Sequence, residues 1–274
     1  MPVRTRQDDL EDAVRLVVEH AAPTGGVTVP WASVRSLTGV LRPGWMVALG
    51  ARTSVGKTTV GVQLAVETAK AGQGALVLSL EMTAPEIWAR VYRQAGCRPS
   101  DPAQTLAVAG QVAAWPLSVV SGGGWSMAQV EAAVERARQQ GPLALVVLDY
   151  GQLLRGRPGT RLTRLEQYEE ITADLKRLAQ TAGVVVVALA QFHRATGEQE
   201  SARPTVASFR SSGSWEMDAD QCWLLYRELP QAHAAAWHPD RQPLVLDVGK
   251  NRHGATGRAL LELHGPTYTV TDRA

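Results

Sequence analysis

Short apolar runs alternate along this chain with longer stretches of helical period. Trp45–Leu49, Ala75–Leu80, Leu143–Leu148 and Val184–Ala190 have the length and the β-branched content of strands buried on both faces. Between them lie helical patterns at Val60–Ala71, from Pro85 to about Ala95, at Asp101–Ala114, and from the capping-box start Ser126-Met127-Ala128-Gln129 to about Gly141. A further helix opens at Thr163-Arg164-Leu165-Glu166, with an apolar stripe of Leu165, Tyr168, Ile171, Leu175 and Leu178. Leu117–Val120 is a short strand, and Gln221–Tyr226, Leu244–Val248, Ala259–Leu263 and Tyr268–Val270 are strands joined by Gly-containing turns. Strands alternating with helices predict an α/β fold: a mostly parallel central sheet flanked by helices, with antiparallel C-terminal strands. Arg194–Gly213 is polar and rich in breakers, and Val27–Val40 is a short lead-in.

At the N-terminus, Asp8–His20 predicts an amphipathic helix with Leu10, Val14, Val17 and Val18 on one face. Ala21–Gly26 is a breaker-rich linker, so the chain divides into 1–26, linker helix and linker, and 27–274, the main domain. The stripe must be buried, either back on its own domain or on a neighbouring subunit.

Composition narrows the picture. The 274 residues are 45% hydrophobic, enough for a packed core, and the formal net charge of +2 is too small to point to nucleic acid by itself. Lys57, Lys70, Lys176 and Lys250 are the only lysines against a large excess of Arg. Arg favours bidentate phosphate contacts, although genome composition produces the same bias. Cys97 and Cys222 are isolated, and the six His are scattered without metal-ligand spacing. Met1–Leu10 is polar, and the apolar runs are too short to cross a membrane, so a cytoplasmic location is expected.

The candidate chemistry lies after the first strong strand, in Gly50-Ala51-Arg52-Thr53-Ser54-Val55-Gly56-Lys57-Thr58-Thr59. Strand, glycine-bearing loop, Gly-Lys-Thr and helix is the layout of a P-loop, with Ala51 where the pattern's first Gly falls. Such a loop turns backbone N–H groups inward at a helix N-terminus and cradles a polyphosphate. Arg52, Thr53, Ser54, Val55, Gly56, Lys57, Thr58 and Thr59 are the candidate nucleotide-binding residues; Lys57 would reach the β- and γ-phosphates and Thr58 would sit on Mg²⁺. Asp149 closes the apolar run Leu143–Leu148 in the manner of a Walker B acid, the second metal-holding residue. Glu81, at the end of another strand, is either a general base or a helix-start carboxylate before Pro85. Gln191, at a third strand end, is either a γ-phosphate sensor or a polar residue satisfying a sheet edge. In open α/β sheets the ligand lies beyond the carboxyl ends of the strands, where all of these fall.

These motifs together resemble the C-terminal ATPase domain of the DnaB family of hexameric replicative helicases, which has a RecA-like fold. The resemblance spans nearly all of residues 7–272. It runs through Ala51–Thr58, Ser79-Leu80-Glu81-Met82, Asp149-Tyr150-Gly151-Gln152-Leu153, Ala190-Gln191-Phe192-His193-Arg194, Ser212–Asp220 and Gly249-Lys250-Asn251-Arg252-His253-Gly254. Ala at the first P-loop position is common in that family. The resemblance implies ATP and Mg²⁺ as ligands, Glu81 as catalytic base, Gln191 as coupling sensor and Arg90 as a nucleotide contact. It implies that Lys250 and Arg252 reach a neighbouring subunit's γ-phosphate as a finger in trans, so that the protein works as a homo-oligomer, a hexameric ring or a helical filament. It further implies 5′-to-3′ movement on single-stranded DNA. The segments after the Walker B strand and after the Gln strand would line the DNA channel, with Arg155, Arg157, Arg161, Arg164, Arg194, Arg203, Arg210, Ser212 and Gly213 as contacts. Arg spaced along loops suits a sequence-independent phosphate track, as it also suits an ordinary solvated loop.

Two departures from the family pattern stand out. Its Asp-Leu-Arg-Glu-Ser-Gly is here Ser208-Phe209-Arg210-Ser211-Ser212-Gly213. The N-terminal collar domain that meets primase in the family is expected to be missing, with Asp8–His20 matching its linker helix, which docks on an adjacent subunit. A DNA helicase and translocase is therefore the leading expectation. The alternatives are a RecA-like DNA-binding ATPase in recombination or helicase loading that does not unwind, and a KaiC-like switch ATPase without DNA.

Overall fold

The computed structural model describes residues 26–98, 100–149, 154, 163–193, 203–209, 212–227 and 240–273, the side chains of Arg164 and Ser212 excepted. In chain order the elements are α1 (Ala32–Thr38), β1 (Met46–Ala51), α2 (Lys57–Lys70), β2 (Gly74–Ser79), α3 (Ala84–Gln94), α4 (Pro102–Ala113), β3 (Leu117–Ser121) and α5 (Met127–Gln140). There follow β4 (Leu143–Asp149), α6 (Arg164–Ala182), β5 (Val185–Gln191), a 3-10 turn (Val206–Ser208), α7 (Ser212–Asp218), β6 (Gln221–Tyr226), β7 (Arg241–Asn251), β8 (Gly257–His264) and β9 (Thr269–Asp272). The linker helix expected at Asp8–His20 lies outside the described residues.

One sheet takes all of the described strands, in the order β3-β2-β4-β5-β1-β6-β7-β8-β9. From β3 to β6 every neighbour is parallel; from β6 to β9 every neighbour is antiparallel. This is the expected α/β architecture. Every residue of β1 is buried, because helices cover both faces of the sheet. One core layer joins α2 and α3 to the sheet through Val60, Leu64, Ile87 and Val91. The other joins α5 and α6 through Val130, Val134, Ile171 and Leu175.

Local signals place the helix ends. Thr83 with Glu86, Ser126 with Gln129, and Thr163 with Glu166 each form a capping box, satisfying orphan backbone donors. Glu86 and Glu166 are held below the usual carboxylate range by their hydrogen bonds to Thr83 and Thr163. Pro243 falls inside β7, yet β6 ends opposite Val245, so proline's missing N–H falls where β7 pairs with β8 alone. β7 thus runs well beyond the expected Leu244–Val248, and α1 and α7 arise in segments where no helix was expected. Trp215 explains α7: it is 1% exposed and buries that helix against Phe209.

α1 lacks a cap of its own. Asp272, at the end of β9, supplies one: it accepts from Ala32 N at 2.7 Å and Ser33 N at 3.1 Å. Against a burial penalty, these bonds and that from the Ser33 hydroxyl lower the Asp272 pKa. The folded pKa lies below the unfolded one, so the stabilisation is complete above about pH 4 and is lost as pH falls through the folded value. Asp272→Asn should cost about 1 kcal/mol or less at pH 7, given solvent screening. In urea titrations the gap between variant and parent should close as pH falls below the lowered folded pKa of Asp272.

Candidate nucleotide site

β1 delivers its carboxyl end to the tight loop at Arg52–Gly56, and α2 starts at Lys57. The loop needs unusual backbone: Ser54 has φ 61° and Gly56 has φ 123°. Only glycine takes the latter without strain. Gly50 is required for another reason. A Cβ there would lie 2.2 Å from Phe192 Cε1 and 2.6 Å from Phe209 Cε1. The two rings meet edge-to-face, with centroids 5.3 Å apart. They are the chain's only phenylalanines, and both press on the strand that feeds the loop.

Around the start of α2 three strand ends converge. Thr58 Oγ1 donates to Asp149 Oδ2 at 2.6 Å. Lys57 Nζ lies 3.7 Å from Glu81 Oε2, with the lysine nearly buried and the glutamate half exposed. Glu81 sits in a bend tightened by Ser79, whose hydroxyl donates to Met82 O at 2.7 Å and accepts from Met82 N at 3.1 Å. Leu80 N donates to Asp149 O at 2.6 Å, tying that bend to the end of β4. From β5, Gln191 Nε2 donates to Thr53 Oγ1 at 2.6 Å. From α3, Arg90 Nη1 reaches Thr59 Oγ1 at 3.3 Å and its guanidinium stacks 4.9 Å from the Tyr268 ring.

Burial pushes the Asp149 carboxyl above its ordinary range, against the pull of Lys57 and the Thr58 hydroxyl. Its Oδ1 is buried without a hydrogen-bond partner among the described residues. A hydroxyl and a carboxylate with a spare oxygen form a hard-oxygen pair that fits Mg²⁺, an ion that takes one or two protein ligands beside phosphate. Three or more clustered His, Cys, Asp or Glu, as other metal centres use, do not occur among the described residues.

Lys250 and Arg252 lie elsewhere. β7 runs against β6, so Lys250 pairs with Cys222, and Arg252 N bonds Asp220 O beside the amino end of β1. Six residues of strand, roughly 16 Å, separate that level from the loop's start. Both side chains are turned onto the end of α7. Lys250 Nζ donates to Ala219 O at 2.7 Å and also to Glu216 O, and Arg252 donates to Met217 O. Burial, then the neighbouring Arg252, lowers the Lys250 pKa.

Of the expected DNA contacts, Arg155, Arg157, Arg161, Arg194 and Arg210 and the side chains of Arg164 and Ser212 lie outside the described residues; Ser212 and Gly213 open α7. Arg203 has an intramolecular partner: its Nε donates to the buried Asp247 at 2.9 Å, which raises its pKa. Reading the sequence missed Arg227, directly after β6, whose Nη2 donates to Ser54 O at 2.9 Å. It also missed the Phe192–Phe209 clasp, whose signal was the scarcity of phenylalanine itself.

A mostly parallel sheet with antiparallel C-terminal strands, this loop between β1 and α2, and an acid at the end of β4 define a P-loop ATPase fold of RecA-like type. Residues 26–271 match the DnaB-like helicase C-terminal domain model, and the chain belongs to that family. It is 31% identical over 271 residues to the replicative DNA helicase DnaB of Pasteurella multocida, covering 93% of this chain and 57% of that protein. It is 30% identical over 269 residues to the DnaB of Haemophilus influenzae, covering 93% and 56%. The chain thus spans about half the length of the curated relatives it matches. A DnaB-like replicative helicase, solved in work on its interactions with primase, superposes with a TM-score of 0.83 at 23% identity, over 96% of this chain and 66% of that one.

The Gly50 contact generates a prediction. Gly50→Ala forces Phe192 or Phe209 aside, and overpacking of this kind should cost about 1–3 kcal/mol. A urea melt should register that loss, with weakened binding of a fluorescent ADP analogue, since the displaced rings carry the strand that presents the loop.

Proposed function

We propose that this chain is the ATP-hydrolysing motor of a DnaB-type DNA helicase, moving on single-stranded DNA at forks in the cytoplasm as a homo-oligomer. The observation that carries this reading is the convergence of Lys57, Thr58, Glu81 and Asp149 at one strand-end cluster in a chain of this family. The loop's backbone N–H groups and Lys57 bind the β- and γ-phosphates, with Arg52–Val55, Thr59 and Arg90 around them. Thr58 and Asp149 hold Mg²⁺, which supplies charge neutralisation on the phosphate oxygens. Glu81 takes the proton of the attacking water as ADP leaves. A γ-phosphate competes with Glu81 for the Lys57 ammonium, leaving the carboxylate free to act as base. Gln191 reads the loop through Thr53.

Lys250 and Arg252 lie too far from their own loop to serve it, and this supports their acting on a neighbour's nucleotide. A finger of this kind is worth about 10³–10⁵ in rate. DNA contacts are assigned to Arg155, Arg157, Arg161, Arg164, Arg194, Arg210, Ser212 and Gly213. Arg203 is given a supporting part through Asp247.

The decisive experiment is unwinding of a forked duplex with ATP and Mg²⁺, alongside mass measurement of the assembly. The expected outcome is strand separation by an oligomer and ATPase stimulated by single-stranded DNA, both abolished in Lys57→Ala. DNA-stimulated ATPase without unwinding on any fork would transfer the chain to the non-unwinding class, and absence of salt-dependent DNA binding to the switch class.

Complementation tests the finger. Lys57→Ala and Arg252→Ala should each lose at least about 100-fold in ATPase rate. Mixed, they should recover part of it, because one mixed interface joins an intact loop to an intact Arg252. No recovery in demonstrably mixed oligomers would place Arg252 outside the trans site.

A further inference from the structure

Arg227 directly follows β6, the strand beside β1, and its Nη2 donates to the Ser54 carbonyl at 2.9 Å. Its Nε is buried and meets no acceptor among the described residues. The Nη2 bond ends on a carbonyl of an exposed loop, where water competes for both partners. The guanidinium is therefore poorly explained by the fold alone.

Its target is unusual too. Ser54 is one of two non-glycine residues with positive φ among the described residues. Such a conformation persists only where the surroundings impose it. In a trans peptide the carbonyl and the following N–H point in opposite directions. Pinning the Ser54 carbonyl toward β6 turns the Val55 N–H to the other side of the loop. From the opposite flank, Gln191 on β5 holds Thr53. The loop's apex is thus gripped from both strands that border β1.

We propose that Arg227 is a positioning residue of the phosphate loop, acting in cis: it fixes the Ser54–Val55 peptide with its N–H turned into the cradle and adds a permanent positive charge beside the polyphosphate. This rests on the nucleotide-binding reading above. Arg227 differs from Lys250 and Arg252 in serving its own subunit's loop, and from Lys57 in acting through the backbone.

The test uses a fluorescent ADP analogue, displaced by inorganic pyrophosphate, on the parent chain, Arg227→Gln, Arg227→Lys and Lys57→Ala. Failure of the parent to bind the analogue would strike the nucleotide reading itself. Given binding by the parent, Arg227→Gln should raise the Kd about tenfold, the scale of a lost charged hydrogen bond, and should weaken displacement by pyrophosphate in parallel. Its melting temperature should stay at the parent value. Arg227→Lys, which keeps the charge and can make one hydrogen bond to the Ser54 carbonyl, should bind within about threefold of the parent. An unchanged Kd in Arg227→Gln overturns the proposal. So does a weaker Kd for the ADP analogue with unchanged displacement by pyrophosphate, which would put Arg227 on the nucleoside. Should Arg227→Gln not fold, a Kd for Arg227→Lys more than about tenfold above the parent's would likewise overturn it.

Discussion

A buried carboxylate holds this structure's junction together. Asp220 is 3% exposed, and an isolated charge at such a site would be untenable. It is surrounded accordingly. Oδ2 accepts from Met46 N at 2.7 Å and from Lys176 Nζ at 2.7 Å, and Arg252 Nη1 and His253 Nε2 each stand 3.7 Å from Oδ1. Its own backbone continues the network, with N donating to Met46 O and O accepting from Arg252 N. Trp45 stacks on His253 at 4.3 Å alongside. One side chain therefore fixes the amino end of β1 to α6, to β6 and to the end of β7. Removing it would leave the partly buried Lys176 with the Gly44 carbonyl but without its anion, a larger loss than an exposed surface pair brings.

That junction decides what each edge of the sheet can offer. The carboxyl edge carries the loop, Glu81, Asp149, Gln191 and Arg227; the amino edge carries Lys250 and Arg252. A sheet holds its two ends a strand's length apart, so the two sets do not meet within one subunit. If both sets serve one chemistry, as proposed, they belong to different subunits, and the geometry between successive sites is fixed by the stiffness of the sheet. The carbonyls at the end of α7 hold the two cations meanwhile, an arrangement that suits a helix C-terminus electrostatically.

Much of this was legible in the sequence because its signals are local. Long apolar runs and capping boxes place most strands and helices within a residue or two. The spacing in Gly56-Lys57-Thr58 and the terminal Asp149 place the core of the site. What escaped was non-local. α1 depends on a cap from Asp272, some 240 residues on. α7 depends on Trp215 finding Phe209. Arg203 looked like a free loop cation because its partner, Asp247, sits in another strand. Arg227 follows an unremarkable strand, and only the sheet order brings it beside Ser54. No periodicity encodes such pairings; they follow from strand order, and strand order from the whole chain.

The same packing joins the two edges mechanically. Gly50 in β1 bears the rings of Phe192 and Phe209; Phe209 lies 6.1 Å from Trp215; and Trp215 seats α7, whose last carbonyls hold Lys250 and Arg252. Each contact is between buried, close-packed or hydrogen-bonded groups, where displacements of a few tenths of an ångström are resisted. Phe192 and Phe209 also pair in an antiparallel bridge at this point, and the 3-10 turn before Phe209 is closed by Thr205 N donating to Ser208 Oγ at 3.0 Å. Ser208 stands where the family pattern has Asp, and its hydroxyl performs the local capping task a carboxylate would. The proposed phosphate loop and the proposed finger are thus both attached to one close-packed patch of Phe192, Phe209 and Trp215. A displacement of α7 is resisted by the same rings that press on the strand feeding the loop.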